Sequence, residues 1–286
     1  MDDSAKQFKR KKSEWVHPVR GSASNGASTL FKLATTTGVL FSLATLFYIW
    51  SVFGDTTINL TLKNNPDLER GLVGHWSFDG KDLINNVADS SGQGNDGRLV
   101  GTFASATSSA SVQGKLGQAL SFNGSDDYVV IPSSSDFNFG TGAFTYSMWV
   151  KKNASATRYD LLSTKSGSFQ DATLFINSDN TIKLFTRDTT GTVTKTVTSN
   201  STPSSSTWFH VVATRDSAGV LHMYINGTTD GTPVTGATQD LSTGTGFDIG
   251  ENQSVASQLD GTLDDVRIYN RALSADEVER LYNLGH

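Results

Sequence analysis

Two groups of residues in this 286-residue chain have the types and spacing to do chemistry. The first lies in DSSGQGNDG (89–97), where Asp89, Asn95 and Asp96 stand among three glycines. Carboxylate, amide and carbonyl oxygens on a glycine-bent loop are the donors that Ca2+ takes, about six to eight at a time. The same residue types also form Asx turns by bonding nearby backbone N–H groups. Asp126 and Asp127 are weaker candidates of the same kind. The second group joins aromatic faces, which suit sugar C–H surfaces, to side chains that bond hydroxyls. It comprises Trp149, Tyr159, Trp208 and Tyr224 with Arg187, Asn177 and Asn252. Core packing competes for the two tryptophans, which sit in apolar alternations.

Other chemistries find little support. The chain has no cysteine, so it forms no disulfide, thiolate metal site or thiol nucleophile. There is no G-x-S-x-G elbow, and His75, His210 and His222 are scattered through strand-like segments. The net charge of −5 speaks against a nucleic-acid partner. Six Asn-x-Ser/Thr sequons, at Asn59, Asn123, Asn153, Asn200, Asn226 and Asn252, are expected by chance in so Asn-, Ser- and Thr-rich a chain.

Short strands must position these residues. Ser and Thr make up about a quarter of the sequence and Gly contributes 27 residues, a composition suited to strands and turns. GLVGHWSF sets Val73, His75 and Ser77 against Leu72, Trp76 and Phe78, the period of a strand. AFTYSMWVKK puts Phe144, Tyr146, Met148 and Val150 on one face, with Trp149 opposite. Hairpins are expected at Asn123-Gly124, Asn177–Asn180 and Asn226-Gly227, because Asn and Gly tolerate the positive φ of tight turns. Strands of this length with regular turn signals point to a sandwich or barrel. One helix is signalled at the end: Ser274 with Glu277 forms a capping box, and Val278, Leu281 and Tyr282 share a face.

The N-terminal seventy residues differ in texture. Residues 1–28 carry six basic and three acidic side chains, +3, which leaves −5 − 3 = −8 for the remainder. Leu33 to Phe53 carries no charge and ends in aromatics including Tyr48 and Trp50. About 20 residues cross a bilayer core, and a basic flank marks the cytoplasmic side. Residues 30–53 are therefore expected to be a transmembrane signal anchor, after a basic cytoplasmic tail at 1–29 and before a stalk at 54–70. A buried core helix, a cleaved signal peptide and a prepilin-like leader fit less well: the n-region is long, Ser51-Val-Phe53 is a poor cleavage site, and no Glu follows the start of the apolar run.

From Gly71 to Asn283 the chain resembles the LamG-like jelly-roll domain of the concanavalin A-like lectin/glucanase superfamily. The segments that carry the likeness, in order, are GLVGHWSFDG, DSSGQGNDGRLVG, GKLGQALSFNGSDDYVVIP, FTYSMWVK, WFHVVATRDSAGVLHMYINGTTDG and LDGTLDDVRIYNRALSADEVERLYN. The resemblance implies an all-β fold: a two-sheet antiparallel jelly-roll sandwich over 71–286 with a short C-terminal helix and adjacent first and last strands. It implies a binding or adhesion module more often than an enzyme, and often a structural calcium. With the domain ends side by side, Asp79 and Asp264 or Asp265 are expected to approach Asp89 and Asn95 as calcium ligands. The related glucanases use a Glu-x-Asp-x-(x)-Glu strand, since acid and nucleophile must flank the scissile bond. Here the five glutamates leave Glu251 without a Glu partner, and Asp264 and Asp265, being adjacent, point to opposite faces of a strand.

The sequence thus predicts a membrane-anchored recognition module outside the cytoplasm. It is expected to bind a glycan or a surface protein through Trp149, Tyr159, Arg187 and Asn252, with a structural Ca2+ at Asp79, Asp89, Asn95 and Asp264. A structural envelope or appendage subunit is the second reading, and a polysaccharide hydrolase the third.

Overall fold

The computed structural model describes residues 66–83, 87–102, 110–153, 157–164, 171–188, 190–241, 246–252 and 257–286, all within one compact unit, Lys63–His286. The expected membrane span, the basic tail and most of the stalk lie outside the described residues. Among the described residues no helix is long and apolar enough to cross a membrane.

The described residues hold seventeen strands and two α-helices. A four-residue helix α1 (Pro66–Glu69) precedes β1 (Leu72–Trp76), β2 (Arg98–Val100), β3 (Ser111–Gln113), β4 (Gln118–Asn123) and β5 (Tyr128–Ile131). Then come β6 (Phe144–Lys152), β7 (Tyr159–Thr164), β8 (Asp171–Ile176), β9 (Ile182–Arg187), β10 (Thr194–Thr198) and β11 (Phe209–Arg215). The chain continues through β12 (Leu221–Ile225), β13 (Thr228–Thr229), β14 (Phe247–Ile249), β15 (Glu251–Asn252), β16 (Ser257–Gln258) and β17 (Asp260–Tyr269), and closes with α2 (Ala275–Leu284).

These strands form two antiparallel sheets, as an all-β sandwich requires. The first has eight strands in the order β13-β12-β11-β6-β17-β4-β3, with β1 also on β17; the second has seven, β10-β9-β8-β7-β14-β5-β2. Strands β15 and β16 form a separate small hairpin. One side of β17 is shared. Its first half pairs with β4 and its second half with β1, where Gly74 faces Ile268. The ends of the domain therefore lie together, as expected. A bulge between Asp264 and Arg267 marks the change of partner, and Asp265 there has φ +51°.

The inner faces pack as alternation dictates. Phe144, Tyr146, Met148 and Val150 of β6 meet Leu174, Leu184 and Phe247 of the second sheet in one continuous core. Tyr146 meets Phe247 edge-on at 5.6 Å, joining the two layers. A second, smaller core lies on the outside of the first sheet. There Val278 and Leu281 of α2 pack with Leu68, Leu72, Val212, Tyr224, Tyr269 and Leu273. The capping box of Ser274 and Glu277 is formed as the sequence predicts.

Two of the three predicted hairpins are present. Asn177–Asn180 joins β8 to β9, and Asn226-Gly227, with φ +52° and +80°, joins β12 to β13. The third is not a hairpin: β4 belongs to the first sheet and β5 to the second. The reason lies in Asn123, whose Oδ1 accepts the N–H groups of Ser125 (2.9 Å), Asp126 (3.1 Å) and Asp127 (3.3 Å). That Asx-type turn spends extra residues before β5 begins and arches the chain from one sheet to the other.

Candidate functional site

The helix α2 covers part of the first sheet's outer face. At one rim a cleft of about 450 Å³ opens between chain segments from both sheets. Asn123-Gly124 from the β4–β5 arch forms one wall, and Ser257, Gln258 and Asp260 form another. Thr157, Arg158 and Tyr159, at the entrance to β7, complete it.

Each wall is held by its own bonds. Asp260 faces Asn123 across the β17–β4 pair. Its backbone carbonyl accepts from the N–H of Asn153 at 3.0 Å, and its Oδ1 from Asn153 Nδ2 at 2.5 Å. Ser257 Oγ donates to the carbonyl of Arg158 at 2.8 Å, and Gln258 Nε2 donates to Glu251 Oε1 at 3.0 Å. Asn123 Nδ2 donates to Asp126 Oδ1 at 2.7 Å.

Arg158 is the most constrained group. Its Nε and Nη2 donate to the two oxygens of Asp160 at 2.8 and 2.6 Å, the fork geometry suited to a carboxylate. Its guanidinium lies 3.7 Å from the centre of the Phe175 ring. Asp160 is fully buried, and Asn252 Nδ2 lies 3.4 Å from its Oδ1. The guanidinium is thus fixed before any ligand arrives, beside a buried tyrosine. Such a site offers fixed donors, carboxylate and amide acceptors and one aromatic edge, the kinds of group that bond vicinal hydroxyls.

The predicted glycan ligands divide. Tyr159 lines the cleft, and Asn252 adjoins it through Asp160. Arg187, at the end of β9, belongs to the outer face of the second sheet near Phe185 and not to the cleft. Trp149 must be corrected: it is 1% exposed and lies beneath α2. Tyr282 stacks on it at 5.5 Å, and a Cβ added to Gly285 would fall 2.6 Å from its ring. The terminal helix covers the outward side of β6 and turns it into a second interior, so core packing accounts for Trp149. Of the other aromatics, Tyr224 lies in the same small core, and Trp208 lies under the ammonium of Lys151 at 5.0 Å. Arg158, Asp260, Gln258 and Asn123 escaped the sequence reading. Polar residues in loops carry no periodic signal, and only the Asn-Gly pair hinted at a special position.

The four predicted calcium ligands do not fit the ion as a set. Asp89 and Asn95 do share a loop, but Asp89 Oδ1 accepts from the N–H of His75 and of Ser91, both at 2.9 Å. Its Oδ2 accepts from Ser91 Oγ at 2.7 Å and the N–H of Asn95 at 2.9 Å, which fills the carboxylate. Asn95 Nδ2 donates to Val73 O at 2.7 Å and Asp136 Oδ2 at 2.9 Å. Asp79 stands elsewhere, accepting from the N–H of Gln118 at 2.9 Å. Asp264, fully buried, accepts from the N–H groups of Lys115 and Leu116, both at 2.7 Å, and so fastens the β3–β4 turn. Among the described residues no three His, Asp or Glu side chains are grouped to hold a metal.

The Asp264–Asp265 pair is instead a structural device. Burial pushes the Asp264 carboxyl up to about 7, and the charge of neighbouring Asp265 adds to this against the pull of the backbone N–H groups of Leu116, Lys115 and Asp265. Burial also works against Asp265, but bonds from His75 (2.7 Å) and Arg267 (2.9 and 3.0 Å) hold its carboxyl well below the usual range.

A profile of the concanavalin A-like lectin/glucanases superfamily matches residues 123–279, more than half of the chain. The chain belongs to that superfamily. No curated protein matches it in sequence. Among solved structures, this superfamily fold is similar to the binding domain of Paraclostridial Mosquitocidal Protein 1, at TM-score 0.59 and 18% identity, covering 76% of this chain and 52% of that one. It is similar to the binding domain of botulinum neurotoxin DC in complex with SialylT, at TM-score 0.57 and 13% identity, covering 77% and 52%. The chain thus spans about half the length of these toxin domains. It is also similar to domain 4 of an extracellular arabinanase from Geobacillus stearothermophilus in complex with arabinotriose, at TM-score 0.55 and 20% identity, covering 75% and 98%.

Proposed function

We propose that this chain is a non-catalytic glycan-recognition module whose ligand enters the rim cleft. The observation that carries the reading is Arg158, locked onto Phe175 and Asp160 beside Tyr159, with Asp260, Gln258 and Asn123 opposite. A site fixed in advance loses little entropy on binding, which suits ligands as weakly held as sugars. The arabinanase domain, nearly all of which the fold matches, was solved with arabinotriose and supports a sugar over a protein partner. Binding rather than hydrolysis is favoured because glycosidases need two carboxyl groups free to act across the bond. Asp160, behind the wall, is fully buried against Arg158, which leaves Asp260 as the one carboxylate among the described residues that line the cleft.

We propose further that residues 30–53 anchor the chain in a membrane and that 54–70 hold the domain away from it, outside the cytoplasm. The basic flank and the uncharged run of Leu33 to Phe53 support this. The recognition reading is tested on a glycan array with the full-length chain and its Arg158→Ala variant. Binding that falls at least about tenfold in the variant supports it, since a charged hydrogen-bonding group contributes about 1.5–3 kcal/mol. Equal binding by both refutes the cleft as the site.

A further inference from the structure

We infer that the cleft reads its sugar through the hydroxyl of Tyr159 and therefore rejects deoxy sugars that lack the group it meets; the inference rests on the glycan reading above and names the chemistry it selects. An aromatic face was the expected platform for sugar C–H surfaces, but Tyr159 does not present one. It is 6% exposed, and its ring belongs to the main core that also holds Leu161 and Ile176. Alternation along β7 explains why. Asp160, across from Phe175, lies with Arg158 on the outer side of the second sheet, so Tyr159 turns inward. Yet Tyr159 lines the cleft, so a small exposed remnant of it reaches the ligand space.

The hydroxyl is the group that this remnant can offer. It makes no hydrogen bond among the described residues, and it is not sealed away without a partner as the Tyr146 hydroxyl is. A tyrosine buried by its ring in this way satisfies its O–H from the solvent side, here the cleft. Its neighbours on the walls are engaged within the protein. Ser257 Oγ donates to the carbonyl of Arg158 at 2.8 Å, and Asp260 Oδ1 accepts from Asn153 Nδ2 at 2.5 Å.

A phenol O–H both donates and accepts, as a sugar hydroxyl does, so the two are matched. Core packing fixes the ring, and little freedom is lost when the hydroxyl is used. A sugar with C–H in place of that hydroxyl would strip water from the Tyr159 oxygen and return no bond. A site built to bond a hydroxyl discriminates against such an analogue more strongly than an apolar pocket does. Stacking on the ring would not discriminate in this way, because a deoxy sugar keeps its C–H face.

The test compares the immobilised full-length chain with its Tyr159→Phe variant, using arabino-, gluco-, galacto- and manno-trioses and the monodeoxy derivatives of each. Tyr159→Phe should bind the preferred triose about three- to tenfold more weakly, the worth of one neutral hydrogen bond. One monodeoxy derivative should lose at least about as much on the native chain and lose nothing further on the variant, since the same bond is already gone. The variant's Tm should stay within about 1 °C of the native value, because the hydroxyl bonds no described residue. A variant that binds the triose as tightly as the native chain would overturn the inference and leave glycan recognition standing. So would monodeoxy losses of equal size on both proteins, or a Tm fall of about 2 °C or more, which would mark a bond inside the protein. Binding to no sugar in the panel would overturn the recognition reading and this inference with it.

Discussion

Asp160→Asn is the sharpest probe of how the cleft is built. The carboxylate is fully buried, and its partner Arg158 keeps about a third of its side chain in water, 34% exposed. Breaking a fully buried pair costs about 3–5 kcal/mol because the remaining charge is stranded. Arg158 can rehydrate in part, so about 2 kcal/mol is the appropriate figure, consistent with the loss of two charge-assisted hydrogen bonds. In a domain of about 150–250 residues, 1 kcal/mol moves Tm by about 2–4 °C, which gives an expected fall of about 4–8 °C by calorimetry. Glycan affinity should fall with it, since the guanidinium loses its orientation. The mechanism is isolated by a double-mutant cycle: in an Arg158→Met background Asp160→Asn should cost much less, with a coupling of at least about 1 kcal/mol. Additive effects, or a Tm change below about 1 °C, would refute the idea that Asp160 acts by fixing Arg158.

At the other end of the core, fully buried Arg215 donates to the carbonyls of Gly142 (2.7 Å), Gln239 (2.8 Å) and Gly140 (2.7 Å) over the Phe144 ring. Arg215→Met should cost about 3–5 kcal/mol by leaving these acceptors unpaired, read from denaturant midpoints. Asp264, raised to about 7 by burial, contributes stability that is complete below its unfolded value near 3.8 and is lost as pH rises through 7. Asp264→Asn, which keeps an acceptor for the two N–H groups, should therefore gain stability relative to the native chain as pH climbs from about 4 to about 8, and an unchanged difference across that range would refute the assignment. Asp89→Ala should lower Tm by the same amount in excess calcium and in chelator, because its four bonds are to the protein; a loss seen only with calcium would restore the metal reading. Ser274→Ala should cost about 1 kcal/mol through loss of the helix cap, a Tm shift of about 2–4 °C.

Much of the fold was legible because it rests on period and turn chemistry. The alternation of Phe144 to Val150, the Asn-Gly turn after Ile225 and the Ser274–Glu277 capping box each appear where the residues place them. The β4–β5 arch was misread because Asn-Gly marks a positive-φ turn without saying whether the strands rejoin. The three successive N–H groups of Ser125, Asp126 and Asp127, all accepted by Asn123 Oδ1, decide that. Trp149 was misread for a related reason: a strand pattern gives two faces but not which one a distant helix will cover. The cleft was half legible. Tyr159 and Asn252 were picked by type, whereas Arg158 and Asp260 became visible only when β7 and the start of β17 were brought to one rim.

Hydrogen exchange shows whether the ligand enters the rim cleft. The full-length chain is compared with and without a saturating amount of the oligosaccharide that binds most tightly on the glycan array. Slowed exchange confined to 123–124, 157–160 and 257–260 is the predicted footprint. Protection centred instead on β9 around Lys183–Arg187, or no local protection at saturation, would contradict the claim.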